Sequence, residues 1–403
     1  MRIGIYAGDQ VAIDGGGYTY QVELLEAFAG LAAESPHEFI VFASPRLAAG
    51  LHTMFFAANV KVAELAPPTW RDRLQGMLQR DFSYVRTKWR SPGRLQRAVL
   101  SQGVEYVWFL GSDCHLLDVP YLAVVWDIQH RTLPWFPELT HRGEFDAREA
   151  ANAWFLRRAA GVITGTRTGA AQVEYFYQVS DSVIKPLPQP TPAFALKAGG
   201  NLPQGWANVP AKYGVNGRYL IYPAQFWAHK NHVNLLYAIQ YLRKELATDI
   251  SLVLLGSDKG NKQFCMRVAA DLGLQNCCHF LGFIPRDDLV ALYAGAVALS
   301  YVSYGGPDNL PPLEAFALGC PVVAADIPGA REQLEDCALF VDPSMPADMA
   351  LAFKRLADGG MECEALVARG RIRAARWTGR DFVRGVFKIF DQFAAVRRNW
   401  GRS

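Results

Sequence analysis

Residues 304–326, YGGPDNLPPLEAFALGCPVVAAD, place two prolines directly before a lone acid, Glu314, at the start of an amphipathic helix. Proline suits the first helical turn, where its missing N–H would have had no partner, and an acid suits the positive helix end. Such an acid can hold a ribose diol, and a plain helix-capping acid is the structural alternative. We also expect the amides from Asn309 to Leu313 to face an anion.

A second polar group stands in YPAQFWAHKNHVNLLYAI, residues 222–239, where Lys230 lies between the end of a predicted strand and the start of a helix. One cation at a helix start, together with free amides, makes a diphosphate site that requires no metal. His229 and His232 flank the lysine, but no third ligand is near in sequence, and we expect no metal here.

Two further loops carry polar or flexible residues after predicted strands. Gly15, Gly16 and Gly17 would let the backbone approach an anion closely, although a merely flexible loop fits them too. Their spacing does not match G-x-G-x-x-G, which argues against a dinucleotide cofactor. Asp127 and His130 form either a polar pair beside a reacting hydroxyl or part of a packed loop.

The elements that must position these residues follow from the alternation of apolar runs with helical patterns, which predicts an α/β fold of two Rossmann-like domains. A proline cluster at 185–195 predicts the linker between them. We predict a first domain at 1–188, a second domain at 189–376, and a C-terminal helix at 377–403. Strands are predicted at 2–8, 38–44, 104–110, 121–127, 161–166, 218–224, 250–257, 278–284, 296–303, 321–326 and 338–343.

Composition excludes several classes of protein. A hydrophobic content of 51%, a charged content of 20% and 403 residues fit a globular chain with two full cores. A net charge of +3 gives no global support for nucleic-acid binding. The start MRIGIYAG lacks a signal-peptide pattern, no apolar run is long enough to span a bilayer, and seven cysteines favour reduced thiols, so a cytoplasmic location is expected.

Taken together, GGG, WDIQHRTLPWFPE, FWAHKNH and GPDNLPPLEAFALGCPVVAADIPGAREQ resemble the retaining glycosyltransferases of family 4, which have the GT-B fold. The resemblance covers nearly the whole chain and matches a branch with a G-P-x-N-L-P-P-L-E motif. It implies two Rossmann-like domains facing each other across a cleft, with the C-terminal helix crossing back to the first domain. The resemblance further implies that the first domain, 1–188, receives the acceptor and that the second, 189–376, binds the nucleotide-sugar donor. It also implies front-face transfer of a hexose from a nucleotide-sugar, with retention and without a cofactor.

The resemblance carries functional residues onto matching positions of this chain. Lys230 matches the diphosphate-binding lysine, and Glu314 matches the second acid of the E-x7-E motif. Gly306 and Gln225 stand where the family has a glutamate and an arginine, which puts the sugar contact and one phosphate cation in question. The predicted catalytic residues are Asp127, His130, Lys230 and Glu314; the predicted donor-binding residues are Gly15, Gly16, Gly17, Gln225, His229, Asn231, Phe283, Asp308, Asn309, Leu310 and Pro311.

The predicted partners are a nucleotide-sugar, with GDP-mannose ranked ahead of UDP-sugars, and a glycan or lipid-linked acceptor in bacterial surface polysaccharide assembly. Residues 70–97 carry eight Lys or Arg against two Asp, with aromatic residues among them. This pattern favours an anionic membrane surface, and a solvated helical face is its alternative. A catalytically silent nucleotide-sugar-binding or scaffold protein is the rival reading, ahead of an epimerase, a phosphorylase or a dehydrogenase.

Overall fold

The computed structural model describes residues 1–8, 16–55, 57–67, 69–70, 93–113, 115 and 117–401. These ranges form two parallel sheets, each covered by helices. The first sheet has the strand order β3-β2-β1-β4-β5-β6-β7, and the second has the order β10-β9-β8-β11-β12-β13. Each sheet reverses its order beside its first strand, at β1/β4 and at β8/β11. Ligands of Rossmann-like folds bind at such a point, beyond the carboxyl ends of the strands.

The strands are short and mostly buried, as parallel strands covered on both faces must be. The first sheet contains β1 Arg2–Tyr6, β2 Glu38–Ala43, β3 Val60–Glu64, β4 Tyr106–Phe109, β5 Tyr121–Val125, β6 Gly161–Thr164 and β7 Ile184–Pro186; the second contains β8 Tyr219–Pro223, β9 Ser251–Leu255, β10 Cys278–Gly282, β11 Ala298–Tyr301, β12 Val322–Ala325 and β13 Leu339–Val341.

Helices connect the strands, and several begin at the edge of the sheets where ligands bind. In the first half they are α1 Gly16–Ala29, α2 Pro45–Met54, α3 Arg94–Ser101, α4 Gln129–Thr132, α5 Pro137–Thr140, α6 Glu144–Phe155 and α7 Arg167–Tyr177. In the second half they are α8 Ala193–Gly200, α9 Val209–Lys212, α10 His232–Lys244, α11 Lys262–Asp271, α12 Arg286–Gly295, α13 Leu310–Leu318, α14 Ala330–Leu334, α15 Pro346–Asp358, α16 Met361–Ala375 and α17 Gly379–Arg397.

The sequence prediction of strands is correct for all six strands of the second sheet and for five of the seven in the first. The prediction missed β3, because it is an edge strand whose residues are exposed or half-buried and form no apolar run. It also missed β7, whose Pro186 is compatible with an edge position. The predicted linker at 185–195 is therefore too long, since β7 occupies its start and α8 its end. The 188/189 boundary stays a prediction and falls between these two elements.

The C-terminal helix α17 packs back onto the first domain, as the resemblance implied. Its start is fixed by a capping box, in which Thr378 and Asp381 satisfy each other's backbone amides. Its buried face contributes Phe382, Val386 and Phe390 to the apolar core around β1 and β2. The helix also contacts α1, the helix that opens at the cleft. Within the described ranges, no helix is long and apolar enough to cross a bilayer.

Candidate active site

A cavity of about 530 Å³ lies between the carboxyl ends of the two sheets. Residues of both domains line it, because the loops after β5 and the start of α1 face the loops after β8, β10 and β11. The cavity contains most of the residues predicted for the site, and its walls carry both cations and carboxyl groups. Its size falls within the usual range for a small-molecule site.

Lys230 lies on the second-domain wall, in a one-turn helix at Ala228–Lys230 that follows β8. Its Nζ donates to Tyr301 Oη at 3.3 Å, and Tyr301 Oη donates to Asn309 Oδ1 at 2.6 Å. Asn231 ends the turn with a φ of 63° and donates to the Val302 and Pro343 carbonyls at 3.0 and 2.6 Å. The predicted donor-binding residue Asn231 therefore holds the lysine loop and is itself buried.

Glu314 lies in the first turns of α13 and also lines the cavity. Tyr293 Oη donates to its Oε2 at 2.8 Å. Burial raises the pKa of Glu314 to about 7, while the Tyr293 hydrogen bond acts in the opposite direction. The other oxygen, Oε1, has no hydrogen bond within the described residues, and it is available to a ligand hydroxyl.

The amides from Asn309 to Leu313, which we expected to face an anion, are not all free. Asn309 N donates to Gln333 Oε1 at 2.9 Å, and Gln333 Nε2 donates back to Asn309 O at 2.8 Å. Pro311 and Pro312 have no N–H. Leu310, which keeps its N–H in this turn, packs against the apolar core of the first domain at 6% exposure. The start of α13 therefore offers fewer free amides than the sequence indicated.

The remaining donor-side predictions line the cavity at different depths. Gln225 Nε2 donates to Ser257 Oγ at 3.1 Å, and its Oε1 accepts from Trp227 Nε1 at 3.0 Å. Phe283 lies at the rim, with 67% of its surface exposed. Gly16 and Gly17 line the opposite wall at the N-terminus of α1, whereas Gly15 lies outside the described residues.

The structure separates Asp127 from His130. Asp127 lines the cavity and accepts from the Gln129 amide at 3.0 Å. His130 is not among the described residues that line the cavity; its Nε2 lies 3.0 Å from Tyr177 Oη and 3.4 Å from Glu149 Oε2. Burial lowers the pKa of His130, and the ring lies in the core of the first domain rather than in the cavity.

His229 makes a contact between the domains. Glu138, in α5 of the first domain, accepts from His229 N at 2.9 Å and from His229 Nδ1 at 2.6 Å through the same oxygen. Burial lowers the pKa of His229, although the neighbouring Glu138 acts in the opposite direction. Burial alone would raise the pKa of Glu138, but the two hydrogen bonds from His229 bring that pKa below its usual value. A neutral imidazole therefore donates to a carboxylate, and the contact needs both domains together.

Gly306 and Asp308 lie where this chain differs from the motif of the family that it resembles. Gly306 has a φ of 104°, and a Cβ there would lie 2.7 Å from Asn309 Oδ1. A glutamate at position 306 would be strained, because this backbone conformation favours glycine. The carboxyl of Asp308 lies against Gly165 of the first domain, and its predicted contact with sugar hydroxyls stays a prediction.

Comparison with known proteins indicates the class of the second domain. A family of glycosyl transferases, group 1, matches residues 210–373. The D-inositol 3-phosphate glycosyltransferase of Acidothermus cellulolyticus is 32% identical over 36% of this chain and 34% of its own length. The O-antigen chain mannosyltransferase B of Escherichia coli is 29% identical over 40% of this chain and 42% of its own. The matched part thus spans less than half of either relative.

Solved structures match the fold over nearly the whole chain. A glycosyltransferase of Rickettsia africae superposes with a TM-score of 0.70 at 14% identity, covering 98% of both chains. HepE of Anabaena, solved in complex with UDP-glucose, superposes with a TM-score of 0.68 at 16% identity, covering 98% of this chain and 100% of its own. The fold is therefore that of the GT-B glycosyltransferases, as the sequence predicted.

Sequence reasoning did not find several residues that complete the site. Tyr293 and Tyr301 resemble ordinary core residues in their apolar runs, and nothing nearby marks their hydroxyl groups as partners of Glu314 and Lys230. Glu138 follows Phe136-Pro137 in a loop of mixed composition. A carboxylate next to a proline at a helix start was the available signal, but its partner is 91 residues away.

Proposed function

We propose that this protein is a retaining hexosyltransferase, which moves a hexose from a nucleotide-sugar to a glycan or lipid-linked acceptor. The observation that carries the proposal is the cavity between two Rossmann-like domains, in which Lys230 and Glu314 occupy the same wall. The group 1 match over residues 210–373 supports this assignment of the second domain as the donor domain. We rank GDP-mannose ahead of UDP-sugars, and bacterial surface polysaccharide as the product.

The proposed reaction proceeds on one face of the sugar. The anomeric C–O bond breaks, and its electron pair leaves with the nucleoside diphosphate. The acceptor oxygen forms the new bond on that face, and its proton passes to the departing phosphate oxygen. Lys230 stabilises the charge that grows on the phosphate, as a donor already positioned in a cleft that excludes water.

The other cavity residues bind and orient the substrates in this proposal. Glu314 Oε1 accepts from the ribose hydroxyls while Tyr293 holds Oε2. Gly16 and Gly17 present the positive end of α1 to the opposite side of the diphosphate. Asp127, on the acceptor-domain wall, orients the acceptor hydroxyl. No cofactor or metal enters these steps.

A panel of GDP-, UDP-, dTDP- and ADP-sugars tests the proposal. The correct donor raises the melting temperature and releases free nucleoside diphosphate when acceptor is present. The anomeric configuration of the product, read by NMR, tests retention. A protein that binds none of these donors would contradict the proposed function.

Gly306 and Gln225 favour a second candidate, a nucleotide-sugar-binding protein without turnover. A Gly306→Glu variant would strain the backbone, so it could not show whether the missing acid matters. The second candidate is therefore tested by measuring binding and turnover of the wild-type protein. Stoichiometric binding of one donor, with no nucleotide release across a broad acceptor panel, would favour the binding protein over the transferase.

We also propose that the protein acts in the cytoplasm, where residues 70–97 contact the anionic inner membrane. Trp70, at one end of this segment, is 69% exposed, whereas residues 71–92 lie outside the described residues. Sedimentation with anionic and neutral vesicles tests the contact. Binding to the anionic vesicles alone, lost in high salt, is the expected result.

A further inference from the structure

Gly165 and Asp308 meet across the interface between the domains. Gly165 follows β6 in the first domain, and Asp308 lies in the loop before α13 in the second. An ideal Cβ built on Gly165 would lie 1.4 Å from Asp308 Oδ2 and 2.3 Å from its Cγ. The carboxyl group therefore occupies the space that any side chain at position 165 would need.

The carboxyl group is buried in this slot without a hydrogen-bond partner. Asp308 is 6% exposed, and neither Oδ1 nor Oδ2 has a partner among the described residues. The titratable groups that face it are Asp127 after β5, Glu332 on α14 and Tyr20 on α1. None of these is a cation. The backbone N–H groups of Gln189 and of Asp308 itself lie outside hydrogen-bonding geometry, but they oppose the effect of the two acids.

The same loop reaches the cation that we assign to the diphosphate. We call residues 305–309 the donor loop. At its start, a Cβ on Gly305 would lie 2.7 Å from Leu133 Cδ1 of the first domain. At its end, Asn309 Oδ1 accepts from Tyr301 Oη, which in turn accepts from Lys230 Nζ. Displacement of Asp308 would therefore be transmitted to Lys230 through two hydrogen bonds.

We propose that Gly165 and Asp308 form a lock between the domains, which positions the donor loop and Lys230 for transfer when the cleft is closed. The proposal rests on the proposed function. Asp308 acts here as a positioning residue through Asn309 and Tyr301, and Gly165 acts by leaving room for the Asp308 carboxyl. Asp308 stands at the variable position of the G-P-x-N-L-P-P-L-E motif, and Gly165 lies outside the stretches that carry the resemblance to family 4.

The charge state of the carboxyl follows from its surroundings. Burial and the negative charge of Asp127 raise the pKa of Asp308 to about 7. A protonated carboxyl fits a buried slot that faces two acids, whereas an ionised one is repelled. Closure of the lock therefore weakens as the pH rises through 7.

The substitution Gly165→Ala tests the lock with a single methyl group. Gly165 is absent from the residues with positive φ, so alanine fits the backbone and the strain comes from Asp308. Gly169→Ala is the matched control, because a Cβ there meets nothing closer than the Thr166 hydroxyl at 3.3 Å. We expect G165A to lower kcat about 100-fold, with a much smaller change in the nucleoside diphosphate Kd, and G169A to behave as wild type.

The pH dependence of turnover would not change in Asp308→Asn if Asp308 had a purely structural role. Wild-type turnover should fall between pH 7 and pH 9, whereas Asp308→Asn should lose this fall, because an amide does not ionise. Small-angle scattering gives a second readout that needs no activity. G165A should have a larger radius of gyration than wild type and G169A, with the same circular dichroism spectrum.

These measurements separate failure of the lock from failure of the proposed function. G165A with wild-type kcat and wild-type radius of gyration would overturn the lock, and so would an unchanged fall with pH in D308N. If no donor is turned over by wild type, the proposed function fails. The scattering comparison would still decide the lock.

Discussion

Two groups of residues in and beside the cavity differ in which domain they contact. The donor wall, defined as Lys230, Tyr301, Glu314 and Tyr293, finds all of these contacts within the second domain. The interface carboxyls, defined as Glu138, Asp308 and Glu332, lie against the opposite domain. Glu138 binds His229, Asp308 fills the slot at Gly165, and Glu332 accepts from the amides of Arg167 and Thr168 at 2.6 and 3.2 Å.

Under the proposed function, this difference between wall and interface separates nucleotide binding from turnover. Hydrogen bonds that are internal to one domain persist whether the cleft is open or closed. Interface carboxyls make their contacts only when the domains meet, and substrate closure of this kind assembles a complete site in many enzymes. We therefore expect the wall to set nucleotide affinity and the interface to set kcat.

The largest effect is expected for Lys230→Ala on the donor wall. Loss of a charge aimed at the departing phosphate should lower kcat about 100- to 1000-fold, and the nucleoside diphosphate Kd should rise as well. Lys244→Ala, at the exposed end of α10, is the control and should match wild type. Near-normal nucleotide release by K230A would show that the wall has been assigned wrongly.

Glu314→Gln should weaken nucleotide binding without opening the cleft. The amide retains an acceptor for Tyr293 but loses the charge that holds a ribose diol, so we expect Kd to rise about 10- to 100-fold. Isothermal titration with nucleoside diphosphate measures the change, with the exposed Glu364→Gln as control. An unchanged Kd, with a lower melting temperature, would identify Glu314 as a structural acid.

Glu138→Gln tests the interface side of the comparison. The amide cannot accept both hydrogen bonds from His229 as strongly, so kcat should fall about 10-fold while the nucleoside diphosphate Kd stays constant. Glu174→Gln, on the exposed face of α7, is the matched control in the same domain. A parallel rise of Kd in E138Q would break the distinction between wall and interface.

The pH dependence of stability tests the buried position of Asp308. Asp308 has an unfolded pKa near 3.8 and a folded pKa of about 7, so the folded state holds more protons between these values. Stability from this group is present at low pH and declines as the pH rises towards 7. Between pH 5 and pH 8, the free energy of unfolding of D308N, measured in urea, should rise by about 2 kcal/mol relative to that of wild type. If the difference in the free energy of unfolding between D308N and wild type were the same at pH 5 and pH 8, the buried position of this carboxyl would be contradicted.

Much of the second domain could be predicted from its sequence, because its six strands are buried apolar runs separated by helical patterns. The first domain was harder, since β3 lies at an exposed edge and β7 is short and contains a proline. Lys230 and Glu314 were predictable because both follow buried strands of one sheet, and such ends lie at the same edge.

Neither the side chain that leaves the cavity nor the contacts that join the domains could be predicted from the sequence. Asp127 and His130 are three residues apart, yet only Asp127 lines the cavity, because the helical turn at Gln129–Thr132 carries the histidine into the core. Glu138 and His229 are 91 residues apart, and their contact depends on how two separately folded sheets meet.

The sequence by itself therefore determined the two Rossmann-like domains, their order, and the lysine and acid of the donor wall, since these follow from local patterns of burial and helix starts. The tertiary structure decided which amides are already paired, which histidine leaves the cavity, and which glycine receives Asp308. These depend on distances between segments far apart in the chain, and no local pattern encodes such distances.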